Sequence, residues 1–185
     1  RANVIKCATE PAMDPMNERV LRASARAHRA TGVPMCTHTF PANRTGLDQQ
    51  RVFKEEGVDL GRVVIGHSDD SDSLEYLEEI IQNGSFCGMD RIGLPRPRSD
   101  EQRADMVAAL VARGYADRIT LSHDASCHID FFPEEVLAER LPNWHHGFIS
   151  SGFRELLLAR GVSPEQYDQM TVGNPRRIFE MNQPY

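Results

Sequence analysis

Residues 62–67 read Arg62-Val-Val-Ile-Gly-His67, a short β-branched apolar run that ends on a histidine. Runs of the same kind occur at four other places in the chain: Asn3–Lys6, Val33–His38, Ser85–Asp90 and Arg118–Asp124. Near-continuous apolar runs of this length are typical of parallel strands that are buried on both faces. Consecutive runs recur about every 30 residues, which is the length of one β/α unit.

Stretches with helical periodicity follow the first four runs. They are Met16–Thr31, Gln49–Glu56, Asp70–Gln82 and Asp100–Arg113. After the last run we expect a long loop, then helices at Gly147–Arg160 and Glu165–Met170, and a short helical turn from Asn174. Strands that alternate with helices predict an α/β fold with a parallel sheet. No feature of residues 1–185 marks a domain boundary, so the sequence predicts a single domain.

The composition limits the classes of protein and partner. The chain has 185 residues, a formal net charge of −6 and four cysteines without a Cys-x-x-Cys pair. An acidic chain without a stripe of lysine and arginine is a poor candidate for binding nucleic acid or an anionic membrane. No apolar run approaches the ~18 residues of a membrane span, and the first residues lack the features of a secretory signal. We therefore expect a cytoplasmic protein with buried thiols that binds neither nucleic acid nor membrane.

Four of the five runs end on a side chain that can bind metal: His38, His67, Asp90 and Asp124. The remaining run ends on Lys6. In a closed (β/α)8 barrel the carboxyl ends of the strands converge, and imidazoles and carboxylates there suit zinc, manganese, cobalt or iron. Lys6 fits such a cluster if its amine reacts with CO2, because the carbamate formed is an anionic ligand that can bridge two metals.

Each of these residues also has a structural interpretation. A histidine at a strand end can be a hydrogen-bonded part of the scaffold, and Lys6 can be a salt-bridged lysine. The pair Asp69-Asp70 can cap the helix that follows it. The pattern of residues by itself supports metal binding and a structural role about equally.

The same runs, taken with their neighbours, resemble successive motifs of the phosphotriesterase family within the amidohydrolase superfamily. The motifs are Ile5-Lys6, Gly32-Val-Pro-Met-Cys-Thr-His38-Thr39, Arg62-Val-Val-Ile-Gly-His67-Ser-Asp-Asp70, Gly88-Met-Asp-Arg91, Leu121-Ser-His-Asp124 and Val172-Gly-Asn-Pro175. They occur in the family's order over essentially the whole chain. The resemblance implies a TIM (β/α)8 barrel, of which this chain covers about five β/α units.

The resemblance also implies a binuclear metal site. Lys6 would be the carboxylated lysine that bridges the two metals, and His38 and His67 would bind the more exposed metal. Asp124 would bind the more buried metal and take the proton from the attacking hydroxide, with Asp70 behind it in a hydrogen-bonded relay. The implied cofactors are two divalent metals, zinc first and cobalt, manganese or iron as alternatives, and the CO2-derived carbamate on Lys6.

Arg91 and the loop after Asp124 point to the substrate. In the phosphotriester hydrolases of the family a histidine typically occupies the position of Arg91, whereas an arginine is similar to the phosphotriesterase-like lactonases. The loop with Cys127 and Phe131 also resembles the lactonase version, in which Phe131 would offer an apolar wall to an acyl chain. The resemblance thus implies that a metal-bridging hydroxide opens acyl-homoserine or other lactones, with organophosphate hydrolysis as a side activity.

Two other functions stay open. One is a phosphotriesterase or aryl esterase that uses the same site, and the other is an inactive half-barrel that depends on a partner chain. The family's His-x-His pair of the first barrel strand does not occur in residues 1–185, which open at what resembles the fourth strand. We therefore expect the C-terminal part of a larger metal-dependent hydrolase. Its substrate would be a small lactone or ester, and the family resemblance favours a homodimer.

Overall fold

The computed structural model describes residues 2–126, 128–130, 133–180 and 183–185. Its sheet is formed by parallel strands that pair in sequential order. The strands are β1 (Ile5–Ala8), β2 (Met35–His38), β3 (Val63–Ile65), β4 (Phe86–Met89) and β5 (Ile119–Leu121). Sequential order is that of a singly wound barrel, because a doubly wound sheet reverses direction at a switch point. The prediction of an α/β fold with consecutive units of a TIM barrel is confirmed.

Helices connect the strands and continue to the end of the chain. They are α1 (Pro15–Thr31), α2 (Thr45–Glu55), α3 (Leu74–Gln82), α4 (Asp100–Ala112), α5 (Glu134–Arg140), α6 (Arg154–Leu158), α7 (Pro164–Asp168) and α8 (Asn174–Glu180). One π-helical turn leads into α6 and another into α8. Among the described residues, no helix combines the length and the apolar character that crossing a membrane requires.

The ends of the long helices follow from local sequence. Asp14 accepts a hydrogen bond from the backbone N–H of Asn17 at the start of α1, and Gly32 ends this helix in the left-handed conformation at φ 70°. Ser99 and Gln102 form a reciprocal capping box at the start of α4. These contacts satisfy backbone groups that a helix end leaves unpaired, so they place the helices along the chain.

The hydrophobic core lies between the sheet and the helices. Its strand residues alternate along the chain, and its helix residues lie on the inward faces of α2, α3 and α4. Fully buried members include Met35, Val63, Ile65, Cys87, Met89 and Ile119 from the strands and Phe53, Leu77, Ile80, Val107 and Leu110 from the helices. Because side chains alternate between the two faces of a strand, the remaining strand residues point to the opposite face.

That opposite face carries Lys6, Cys36 and Val64, which are neighbours in the strand register. Lys6 is exposed, and Cys36 and Val64 are partly exposed. The expectation that Lys6 closes a buried strand is wrong, because pairing with β2 continues to Ala8, opposite His38. Lys6 therefore lies within β1, on the face of the sheet that the described helices do not cover.

Helix α3 and the segment after Asp124 differ from the sequence prediction for physical reasons. Helix α3 begins after Ser73, whose side chain accepts a hydrogen bond from the backbone N–H of Tyr76, rather than at Asp70. Asp70 ends a short 3-10 turn, and its carboxylate is used elsewhere. The loop expected after Asp124 contains helix α5, so that part of the prediction is wrong. Pro133 immediately precedes this helix, where a proline favours helix initiation.

Replacing Glu56 with glutamine should weaken the contact between α1 and α2 in a pH-dependent way. Glu56 accepts hydrogen bonds from Arg26 and Arg22, which lower its pKa to about 2. A carboxylate whose pKa is lowered by folding stabilises the fold above its unfolded pKa, near 4.5, and loses that contribution as the pH falls toward 2. We expect the Glu56→Gln variant to have a lower free energy of unfolding than the parent at pH 7. The difference between the two proteins should vanish toward pH 2.

Urea titrations of both proteins between pH 2 and 7 measure this difference. The matched control is Glu139→Gln, because Glu139 is exposed and the described residues offer it no ion-pair partner. A difference between Glu56→Gln and the parent that does not change with pH would contradict the assignment.

Candidate metal centre

Two histidines meet at the carboxyl ends of neighbouring strands. His38 is the last residue of β2, and His67 follows β3 by two residues. His67 has a φ of 57°, in the left-handed region, and its side chain is 3% exposed. The left-handed turn points the ring of His67 toward β2, so that its Nε2 lies 2.8 Å from Nδ1 of His38.

Asp90, directly after β4, holds His67 in this orientation. Its Oδ1 accepts the backbone N–H of His67 at 2.7 Å and lies 2.8 Å from the ring Nδ1. A carboxylate acceptor requires the proton on Nδ1, so Nε2 of His67 presents a lone pair toward His38. A carboxylate behind the second nitrogen of a histidine is the usual support of a histidine that binds metal.

The electrostatic surroundings of His38 favour its neutral form. Burial lowers its pKa, and the neighbouring charges of His67, Arg91 and Lys6 lower it further. A neutral imidazole is the form that binds a metal ion. In this arrangement Nδ1–H of His38 donates to Nε2 of His67. The pair fits a divalent metal when the proton of His38 moves to its Nε2, because two imidazole nitrogens then converge and Asp90 fixes the tautomer of His67.

The other two predicted ligands lie beside this pair without contacting it. Nζ of Lys6 donates to the backbone carbonyl of Thr37 at 3.0 Å, and the side chain of Asp124 is 49% exposed. The charges of both residues act on His38. In the part of the chain that the structure describes, no three His, Cys, Asp or Glu side chains are arranged to hold a metal together. The ligand roles of all four residues stay predictions.

Arg91 lies between the two predicted catalytic carboxylates. Its Nη1 donates to Oδ2 of Asp70 at 2.6 Å, and its Nε lies 3.6 Å from Oδ2 of Asp124. Burial lowers the pKa of Arg91, but the hydrogen bond to Asp70 and the nearby carboxylates raise it by more. The guanidinium thus remains protonated, and its positive charge interacts with the carboxylates of both Asp70 and Asp124.

A buried arginine that the sequence analysis missed completes this network. Arg103 of α4 donates to Asp69 at 2.6 Å and to Asp70 at 2.9 Å, and Arg103 and Asp69 are fully buried. Burial raises the pKa of Asp69, and the guanidinium of Arg103 opposes this effect. A signal existed in the sequence, because Arg103 precedes Met106 and Val107 by three and four residues. It is therefore a charged residue on the apolar stripe of a helix.

The loop after β5 borders the site. Cys127 and Phe131, the two predicted substrate contacts of this loop, lie outside the described residues. The described part includes the indole N–H of Trp144, which donates to the carbonyl of His123. Trp144 lines a cavity of about 710 Å³ with Leu137, Leu141 and other residues of this loop and of α5. The cavity also has polar lining residues, among them His128, Asp130 and His145, and it begins within a few residues of Asp124.

Comparison with known proteins gives a consistent assignment. The model of the family described as "Phosphotriesterase family" matches residues 1–179. A "phosphotriesterase homology protein" of Mycobacterium tuberculosis is 51% identical over 181 residues, which are 97% of this chain and 56% of that protein. An "aryldialkylphosphatase" of Saccharolobus solfataricus is 37% identical over 97% of this chain and 58% of its own length.

Solved structures agree with the sequence matches. The phosphotriesterase of Mycobacterium tuberculosis has a TM-score of 0.96 and 50% identity, and the alignment covers 100% of this chain and 57% of that one. A mutant organophosphorus hydrolase of Deinococcus radiodurans has a TM-score of 0.88 and 38% identity, covering 97% and 56%. The chain thus spans a little over half the length of the relatives that it matches.

Replacing Asp90 with asparagine should weaken zinc binding by the intact protein about 10-fold to 100-fold, since the neutral amide supports the His67 tautomer less well than a carboxylate. Competition with a chromogenic chelator measures this affinity. The matched control is Asp72→Asn, which removes an exposed carboxylate from the loop between β3 and α3. Equal zinc affinity in the Asp90 variant and in the control would contradict the role given to Asp90.

Proposed function

This chain belongs to the phosphotriesterase family, and on that premise we propose that the intact protein is a metal-dependent hydrolase that opens lactones. The observation that carries the proposal is the convergence of Nδ1 of His38 and Nε2 of His67, 2.8 Å apart, with Asp90 behind His67. Two histidines with purely structural roles could each have a separate hydrogen-bond partner, and they would not need to meet each other. Here they meet at the carboxyl edge of a parallel sheet, which is where barrel enzymes carry their active sites.

The residues that would hold the metals are His38, His67, Lys6 as its carbamate, and Asp124. Two divalent ions, with zinc as the first candidate, would polarise the ester oxygen and acidify water at this edge of the sheet. Lys6 lies on the sheet face that the described helices do not cover, next to Cys36 in the strand register. The amine of Lys6 donates one hydrogen bond, to the backbone carbonyl of Thr37.

Asp124 is the proposed proton carrier. Its carboxylate, half exposed at the end of β5, would accept the proton of the attacking water and deliver it to the leaving alkoxide as the ring opens. Passage of this proton through Arg91 to Asp70 is excluded by chemistry, because a guanidinium does not give up its proton in a protein. The relay role of Asp70 stays a prediction, and its contacts support an anchoring role beside it: Asp70 holds Arg91, and Arg91 faces Asp124.

Arg91 supports the choice of a lactone as substrate. A fixed guanidinium beside the proton carrier can donate a hydrogen bond to the planar ester group of a lactone. The cavity beside Trp144 would receive an apolar acyl chain. Phosphotriester hydrolysis is the second candidate, because one relative is named an aryldialkylphosphatase. A further structural neighbour was engineered for organophosphate hydrolysis from a weak promiscuous lactonase template.

Metal content and substrate rates test the proposal together. The intact protein, supplied with zinc and bicarbonate and then freed of excess metal, should contain about two metals per chain by ICP-MS. It should also hydrolyse an acyl-homoserine lactone with a higher kcat/KM than paraoxon. Chelation should abolish both activities, and zinc should restore them. An intact protein that binds no metal and hydrolyses neither substrate would overturn the proposal.

Replacing Arg91 with histidine should change the substrate preference. We expect the ratio of kcat/KM for the lactone to that for paraoxon to fall about 10-fold, since the loss of one charged hydrogen bond is worth roughly that factor. Steady-state rates on both substrates measure the ratio. The control is Arg19→His on the exposed side of α1. If the lactone-to-paraoxon ratio of Arg91→His equals that of Arg19→His, the assignment of Arg91 to the substrate site is wrong.

A further inference from the structure

Arg103 is a fully buried charge on the apolar face of helix α4. Met106, Val107 and Leu110 continue the same buried face. A buried guanidinium is costly unless it is paired and hydrogen-bonded, so its partners reveal what it holds in place.

All three partners of Arg103 lie on the loops that follow β3 and β4. Its Nη1 donates to Asp69, and its Nη2 donates to Asp70 and to the carbonyl of Leu94. Asp69 and Asp70 come two and three residues after His67 in the chain, and Leu94 comes three residues after Arg91. The guanidinium thus ties helix α4 to both loops that carry the candidate site.

Asp69 in turn holds the backbone of the loop that follows β4. Its two carboxylate oxygens accept the N–H groups of Asp90 and Arg91, at 3.0 and 3.1 Å. Asp70 accepts from the side chain of Arg91 with one oxygen and from Arg103 with the other. Both ends of Arg91, its backbone N–H and its guanidinium, are therefore held by carboxylates that Arg103 holds in turn.

We propose that Arg103 is a positioning residue for substrate specificity, acting on Arg91 through Asp69 and Asp70. The proposal rests on the proposed function, because the placement of Arg91 matters for catalysis only if Arg91 faces a substrate. The planar fork of arginine contacts two carboxylates at once, whereas a lysine amine is a compact point charge. Arg103→Lys therefore keeps the buried charge and loses the simultaneous hold on Asp69 and Asp70.

The test compares Arg103→Lys with Arg113→Lys in the intact protein. Arg113 lies just after the same helix, is exposed and pairs with Glu78. For Arg103→Lys we expect faster amide hydrogen exchange at Asp90 and Arg91. We also expect an unchanged metal content and a fall of about 10-fold or more in kcat/KM for the lactone. For Arg113→Lys we expect none of these changes.

A double-mutant cycle separates positioning from general stability. In an Arg91→His background, Arg103→Lys should have little further effect on the lactone-to-paraoxon ratio, because both changes act through Arg91. Full additivity of the two effects, or loss of metal in Arg103→Lys, would overturn the proposal. So would unchanged amide exchange at Arg91.

Amide hydrogen exchange also distinguishes failure of the proposed function from failure of the positioning role of Arg103. If the parent protein hydrolyses neither substrate, the proposed function fails, while faster exchange at Arg91 in Arg103→Lys still supports the positioning of Arg91. If the parent is a lactonase and exchange at Arg91 does not change, only the positioning role fails.

Discussion

The parallel hydrogen-bond ladder is the constraint on which the rest of this molecule depends. Because all five strands run in the same direction and pair with their neighbours along the chain, their carboxyl ends reach one edge of the sheet. His38, His67 and Asp90 are distant in sequence and contact one another in series only there, and Asp124 lies at the same edge, facing Arg91. The helices contribute by burying the other face, which holds the strands in register and leaves the edge free for chemistry.

Charge balance is the second organising feature of the site. Asp69 and Asp70 face two guanidinium groups, those of Arg103 and Arg91, in a network that reaches from the helix layer to the edge of the sheet. An arginine that holds its proton cannot pass protons, but it can fix the position and charge of the carboxylates around it. The network therefore favours a site in which Asp124 exchanges its proton with the reacting groups, while Asp70 serves as an anchor.

The sequence predicted the repeating β/α units and the residues at the strand ends because both depend on local patterns. Apolar runs, helix caps and turn residues act over a few neighbours, so Asp14, Gly32 and Ser99 could be interpreted directly. Long-range competition was harder to predict. The expected cap at Asp70 is replaced by Ser73, because the Asp70 carboxylate pairs with Arg91 and Arg103, which follow it by 21 and 33 residues in the chain.

By itself the sequence determined which chemical groups stand near the strand ends and that the fold is α/β with a parallel sheet, since periodicity and residue type are properties of short segments. The barrel followed from the resemblance to a family. Only the tertiary structure decided how these groups face one another. It selected the His67 tautomer through Asp90, kept Lys6 on an exposed face within β1, and placed Arg91 between Asp70 and Asp124. The physical reason is that a hydrogen bond between two strands depends on the register and rotation of both, which neither strand encodes alone.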